Sequence, residues 1–173
     1  MSTRLDLATL TLTDALDLAV LIELEAYKRY RKFVDQLGHR FDGDAASVFS
    51  SMAQNEAKHG KQLAERREAM FGDAPVRVSL DDLFDVEAPE EGAPRASMSA
   101  RQAFEIALSS EQKAFDFYDE ALKHVTDPEI QALFTELRDE ETEHIRLVRE
   151  AMANLSPRAE KELDLDKDEA PAL

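Results

Sequence analysis

Apolar side chains recur every three or four residues along four stretches of this chain, the period of a helix that buries one face. The first stretch runs from about Thr13 to Leu37, with an inward stripe of Leu16, Ala19, Val20, Glu23, Ala26, Tyr27, Tyr30, Phe33 and Val34, and stops at Gly38. The second begins near Asp44, whose carboxylate suits an N-cap. Its stripe is Val48, Phe49, Met52, Glu56, His59, Leu63 and Met70, and Gly72 ends it. Ser99 and Gln102 have the spacing of a capping box that opens a third helix, striped by Phe104, Ala107, Leu108, Glu111, Ala114, Phe115, Tyr118, Ala121 and Leu122. Asp127 followed by Pro128 opens a fourth, which carries Ile130, Phe134, Leu137, Glu141, His144, Val148 and Leu155.

Short joins between helices one and two, and between three and four, make each pair an antiparallel hairpin. Residues 73–98 hold Pro75, Pro89 and Pro94 among acidic side chains. At roughly 3.3 Å per residue this segment can return along a helix of ~38 Å, so helix three starts at the same end as helix two. The pattern predicts an all-α four-helix bundle over residues 1–155, up-down-down-up, with 73–98 as the crossover and a short helical turn inside it at Leu80 to Phe84. Residues 156–173 are rich in Glu, Asp and Lys without apolar periodicity and read as a flexible acidic tail.

The two hairpins repeat one another. A shift of 88 residues lays Ala19, Glu23, Ala26, Tyr27 and Tyr30 on Ala107, Glu111, Ala114, Phe115 and Tyr118, and a shift of 85 lays Phe49, Met52, Glu56 and His59 on Phe134, Leu137, Glu141 and His144. The matches fall on polar residues inside apolar stripes, as a shared site requires. Glu and His three apart lie on one helical face, one turn from each other, so each Glu-x-x-His pair can approach a common metal. Four carboxylates in an apolar bundle cost several kcal/mol per ion, roughly, unless something neutralises them. Two divalent cations do so.

Composition narrows the ligands and the partners. The chain has no cysteine, which excludes disulfides, thiolate zinc sites, iron–sulfur centres and thiol nucleophiles. Oxygen and nitrogen ligands suit iron or manganese better than copper, with zinc allowed by ligand type. A formal net charge of -16 over 173 residues disfavours nucleic acid and anionic membranes as partners and favours cations. The first residues lack the basic start and apolar run of a secretory signal, and no segment approaches the ~18 apolar residues of a membrane span, so a cytoplasmic location is expected.

From about Thr13 to Leu155, these residues resemble the ferritin-like di-iron carboxylate superfamily, in particular its rubrerythrin branch, whose pattern is one Glu from each of two helices and a Glu-x-x-His from each of the others. The resemblance implies two iron ions, with manganese or zinc as substitutes. It implies Glu56 and Glu141 as bridging ligands, Glu23 with His59 on one iron, and Glu111 with His144 on the other. Tyr30 and Tyr118, seven residues after the single Glu of their helices, are implied as hydrogen-bond donors to the site carboxylates. Two features depart from the branch. Rubrerythrins typically carry a further Glu three residues after the third-helix Glu, where this chain has Ala114, and they usually bring a cysteine-ligated rubredoxin domain, whereas this sequence has no Cys.

The expected activity is therefore oxidation of ferrous iron by dioxygen or hydrogen peroxide, in iron handling or defence against oxidative stress, by a homo-oligomer of two or more chains. The alternatives are a rubrerythrin-type peroxide reductase fed by an external electron donor, a divalent-metal binding or sensing module without turnover, and a purely structural bundle. Plainer roles are expected elsewhere. Phe49, Phe104, Phe115 and Phe134 read as packing, His39 and His124 as surface groups near helix ends, and Glu25, Glu105, Glu140 and Glu143 as a solvated face.

Overall fold

The computed structural model describes residues 6–37, 45–79 and 99–155. Among the described residues a 3-10 turn at Leu7–Thr9 is followed by four helices: α1 (Leu12–Leu37), α2 (Ala45–Phe71), α3 (Ala100–Ala121) and α4 (Pro128–Ala153). No strand occurs among the described residues. The helix ends follow local chemistry. Thr11 and Asp14 cap α1 reciprocally, with the Asp14 amide donating to Thr11 Oγ1 at 3.2 Å and the Thr11 amide to Asp14 Oδ2 at 3.3 Å. Helix α1 thus starts slightly before the expected Thr13. Gly72, at φ 52°, ends α2 in the left-handed conformation that favours glycine. Ser99 and Gln102 form the expected capping box on α3, and the Asp127 carboxylate accepts from the amides of Glu129 and Ile130 at the start of α4, where Pro128 sits.

Two apolar clusters establish how the helices run. One joins the first half of α1 (Leu12 to Ile22) to the end of α2 (Leu63), the end of α3 (Tyr118, Ala121) and the start of α4 (Ile130 to Leu137). The other joins the second half of α1 (Ala26 to Val34) to the starts of α2 and α3 (Phe49, Met52, Ala103, Phe104) and the end of α4 (Val148). Helices α1 and α4 therefore point one way and α2 and α3 the other, the up-down-down-up order of a ferritin-like bundle. Between the clusters lies a layer to which each helix contributes a buried glutamate: Glu23, Glu56, Glu111 and Glu141.

The sequence pattern misses one part of this core. Asp14 and Asp17, one turn apart on α1, are both buried, each opposite an arginine. Arg67 reaches Asp17 with Nε at 2.7 Å and Nη2 at 3.3 Å, and also donates to the carbonyls of Gly72 and Ala74. Arg77 donates to both Asp14 oxygens, at 3.0 and 2.6 Å. These contacts dock residues 72–77, the beginning of the expected crossover, onto α1. They also explain why Met70, expected in the α2 stripe, is 44% exposed: beyond Leu63 the inward face continues through Arg67 and Phe71, which turns Met70 outward. Arg67→Ala leaves Asp17 buried without its partner and is expected to lower the free energy of unfolding by about 3 kcal/mol. Urea denaturation measures this, and a loss under ~1 kcal/mol is the signature of an exposed pair instead.

Gly38, His39, the Asp44 cap, the turn at Leu80 to Phe84, the crossover from residue 80 to 98 and the tail 156–173 lie outside the described residues.

Candidate metal centre

Glu23, Glu56, Glu111 and Glu141 are each at most 4% exposed, and His144 is buried beside them. Helix α4 aims His144 Nδ1 at three carboxylates: 3.2 Å from Glu111, 3.3 Å from Glu56 and 3.7 Å from Glu141. Its ring stacks on that of His59, with centroids 5.8 Å apart and planes within 9°. His59 Nδ1 lies 4.0 Å from Glu23 and 3.7 Å from Glu140. All six residues singled out by the Glu-x-x-His repeat thus converge in one layer.

The close approach of α1 to α2 depends on Gly60. A Cβ at this position would stand 3.3 Å from Glu23 Cβ, tighter than ordinary packing. A mid-helix glycine costs about 1 kcal/mol relative to alanine. Here it sets the depth at which Glu23 enters the layer.

The electrostatics of the layer are unbalanced. Burial pushes the Glu23 carboxyl well above the ordinary carboxylate range, helped by its hydrogen bond with Glu56 and the charges of Glu56 and Glu141. Burial also raises Glu141, with the nearby charge of Glu111 adding to it. For His144 burial opposes the charged form, yet the hydrogen bond with Glu111 and the nearby carboxylates of Glu141 and Glu56 push the imidazole up to about 12. One imidazolium among four carboxylates leaves an excess of negative charge that protons or cations must meet. Glu23 Oε2, Glu56 Oε1, Glu141 Oε2 and His59 Nδ1 are buried without a hydrogen-bond partner among the described residues. Unsatisfied donor atoms converging in a thiolate-free, oxygen-rich layer fit divalent metal ions. Three sets have ligand atoms within 4.8 Å of one another: Glu56, His59 and His144; Glu111, Glu141 and His144; and Glu23, His59 and Glu140.

Comparison with known proteins agrees. The rubrerythrin family model matches residues 14–152, with a second match over 102–169. The chain belongs to the rubrerythrin family. The first match takes in all four helices and the whole polar layer, and the second opens two residues into α3, the first helix of the second hairpin. An uncharacterized conserved protein from Magnetospirillum magnetotacticum MS-1 has a similar crystal structure, at 27% identity and a TM-score of 0.70 over 85% of this chain and 97% of its own. No curated protein matches the chain.

Other sequence-derived expectations fare unevenly. Tyr30 and Tyr118 are fully buried on opposite sides of the layer, one in each apolar cluster. Tyr30 stacks with Phe49 at 5.8 Å, and its hydroxyl finds no hydrogen-bond partner among the described residues. Tyr118 packs against Phe134 at 5.5 Å. Phe49, Phe104 and Phe134 are core, and Phe115 is partly exposed. His124 is exposed beside Glu120, 3.0 Å away, apart from the layer. Glu140 departs from expectation: it is not on the solvated face but half-buried against His59. Its position four residues before His144 carries the signal, because that spacing shares a helix face. No described helix is long and apolar enough to cross a membrane.

Proposed function

We propose that this member of the rubrerythrin family binds two iron ions in the polar layer and couples oxidation of ferrous iron to reduction of dioxygen or hydrogen peroxide. The observation that carries the reading is the set of buried, unsatisfied carboxylate oxygens and imidazole nitrogens at the centre of the bundle. Glu23 and His59 would hold one ion, Glu111 and His144 the other, and Glu56 and Glu141 would bridge them. Bound there, two ferrous ions supply one electron each, enough with two protons to turn one dioxygen into hydrogen peroxide or one hydrogen peroxide into two waters.

The protein residues have distinct tasks. The four carboxylates cancel the charge of two divalent cations. Glu56 spans both halves, helping to raise the Glu23 carboxyl on one side and standing 3.3 Å from His144 Nδ1 on the other. Glu23, Glu141 and His144 retain protons in the metal-free state and release them when they become ligands. The apolar clusters on either side keep bulk water from the layer along the bundle axis.

Two tests bear on the centre and its turnover. Gly60→Ala is expected to leave folding stability within about 1 kcal/mol of the parent, since helix propensity offsets the tight contact, while displacement of Glu23 weakens divalent-metal binding about tenfold. Thermal melts and metal titration of the same sample read both. For turnover, anaerobically loaded ferrous protein is mixed with dioxygen or peroxide and followed by near-ultraviolet ferric absorbance. A stoichiometric rise with either oxidant is expected. Ferrous protein unchanged by both would make the chain a metal-binding module. The family match favours one alternative, peroxide reduction sustained by an external electron carrier. Steady peroxide consumption upon addition of a reduced rubredoxin, well above the oxygen rate, would identify it.

A further inference from the structure

We propose that Glu140 is a metal ligand at the solvent-facing half of the centre, sharing a divalent cation with Glu23 and His59, so that the two metal positions are chemically unequal. This rests on the two-metal reading above. Glu140 Oε2 stands 3.7 Å from His59 Nδ1, and Glu23 Oε2 stands 4.0 Å from the same nitrogen. Both distances are too long for hydrogen bonds. Atoms each ~2.1 Å from one cation lie ~3 to 4.2 Å apart, so these are separations suited to co-ligands. Glu23 Oε2 is independent support: the residue is 2% exposed, and this oxygen, aimed at His59, has no hydrogen-bond partner among the described residues.

The half that contains Glu140 also opens to water. The side chains of Glu140 and His59 are 33% and 19% exposed, whereas those of His144 and Glu111 are 5% and 4% exposed. The internal repeat makes the asymmetry explicit. The 85-residue shift that pairs Glu56 with Glu141 pairs Glu140 with Asn55, which is exposed and uncharged. One half therefore has an additional carboxylate at its mouth, and the deeper half has a neutral amide at the corresponding position. A cation at the mouth gains an additional anionic ligand and is the first to meet incoming solvent.

The test is an anaerobic titration of the metal-free full-length chain with Co2+, read by calorimetry and by the visible absorption of bound cobalt. The wild type should show two unequal binding steps. Glu140→Gln, which keeps shape at a half-exposed position, should weaken one step about tenfold or more and leave the other in place. Glu136→Gln is the control. It removes the same charge one turn away, where the carboxylate faces Arg66 at 3.6 Å and is 64% exposed, and it should leave both steps unchanged. A Glu140→Gln titration that superposes on the wild type, or an equal loss in Glu136→Gln, overturns the ligand role while the two-metal reading stands. A wild-type chain that binds no cobalt overturns both.

Discussion

Replacing Glu56 with Ala is expected to abolish both the binding of a metal pair and the ferric absorbance that follows oxidation, whereas replacing an exposed glutamate such as Glu143 should change neither. Glu56 is 2% exposed and links the two halves, acting on the Glu23 carboxyl of α1 and standing 3.3 Å from His144 on α4. Without it each half loses an anionic ligand, and the charge of two cations is no longer matched. Glu141→Ala should behave in the same way, since Glu141 lies 3.7 Å from His144 and its charge also acts on Glu23. The same loss should stabilise the metal-free protein. Glu56→Leu fills the volume with apolar atoms and removes one acid from a layer in which four carboxyl groups surround His144, which relieves repulsion among the remaining acids in the metal-free protein. Higher metal-free stability combined with lost metal binding is the expected pair of results. Undiminished ferric absorbance in Glu56→Ala would refute its bridging role.

The metal-free protein should become less stable as the pH rises from 5 to 8, and added metal should stabilise it more over the same range. The folded-state pKa values of Glu23 and Glu141 are raised above 4.5, so the protons they retain favour the folded state fully below that value, and the benefit is lost as the pH rises through the folded-state values. His144, pushed up to about 12 from 6.5, acts in the same direction: its contribution is complete below 6.5 and declines above it. Each retained proton gives a slope of up to about 1.4 kcal/mol per pH unit. In a chain of this size that corresponds to roughly 3 to 5 °C per unit in the thermal midpoint. Ligands must be deprotonated, so metal binding strengthens with pH and releases protons. Melts of metal-free and Zn2+-loaded protein at several pH values read both trends, and proton release on metal addition is measurable in weakly buffered solution. A metal-free midpoint that climbs between pH 5 and 8 would contradict this electrostatic account.

The bundle was legible in the sequence because each helix carries its own signals. The Ser99–Gln102 box, Asp127–Pro128 and Gly72 act within a few residues of chain, so local pattern reports them faithfully. The polar layer was legible for a different reason: the repeat places Glu23 opposite Glu111 and Glu56–His59 opposite Glu141–His144, and a burial cost this large leaves few alternatives to metal. What escaped depends on contacts between distant segments. Asp14 and Asp17 look like ordinary surface acids until Arg67 and Arg77 are brought to them from 50 and 63 residues away. Glu140 sits beside the stripe, and only the α2–α4 contact at His59 brings it to the layer. Gly60 carries no chemistry of its own, and its meaning appears once Glu23 Cβ is seen 3.3 Å from the place a side chain would begin.

The most direct test of the central claim, that the buried glutamates exist to hold a pair of cations, is an anaerobic titration of the metal-free chain with ferrous iron, with bound iron counted per chain after gel filtration. Saturation at two irons per chain, accompanied by a large rise in the thermal midpoint, is the predicted result. A chain that leaves the column without iron and melts at an unchanged temperature would contradict it.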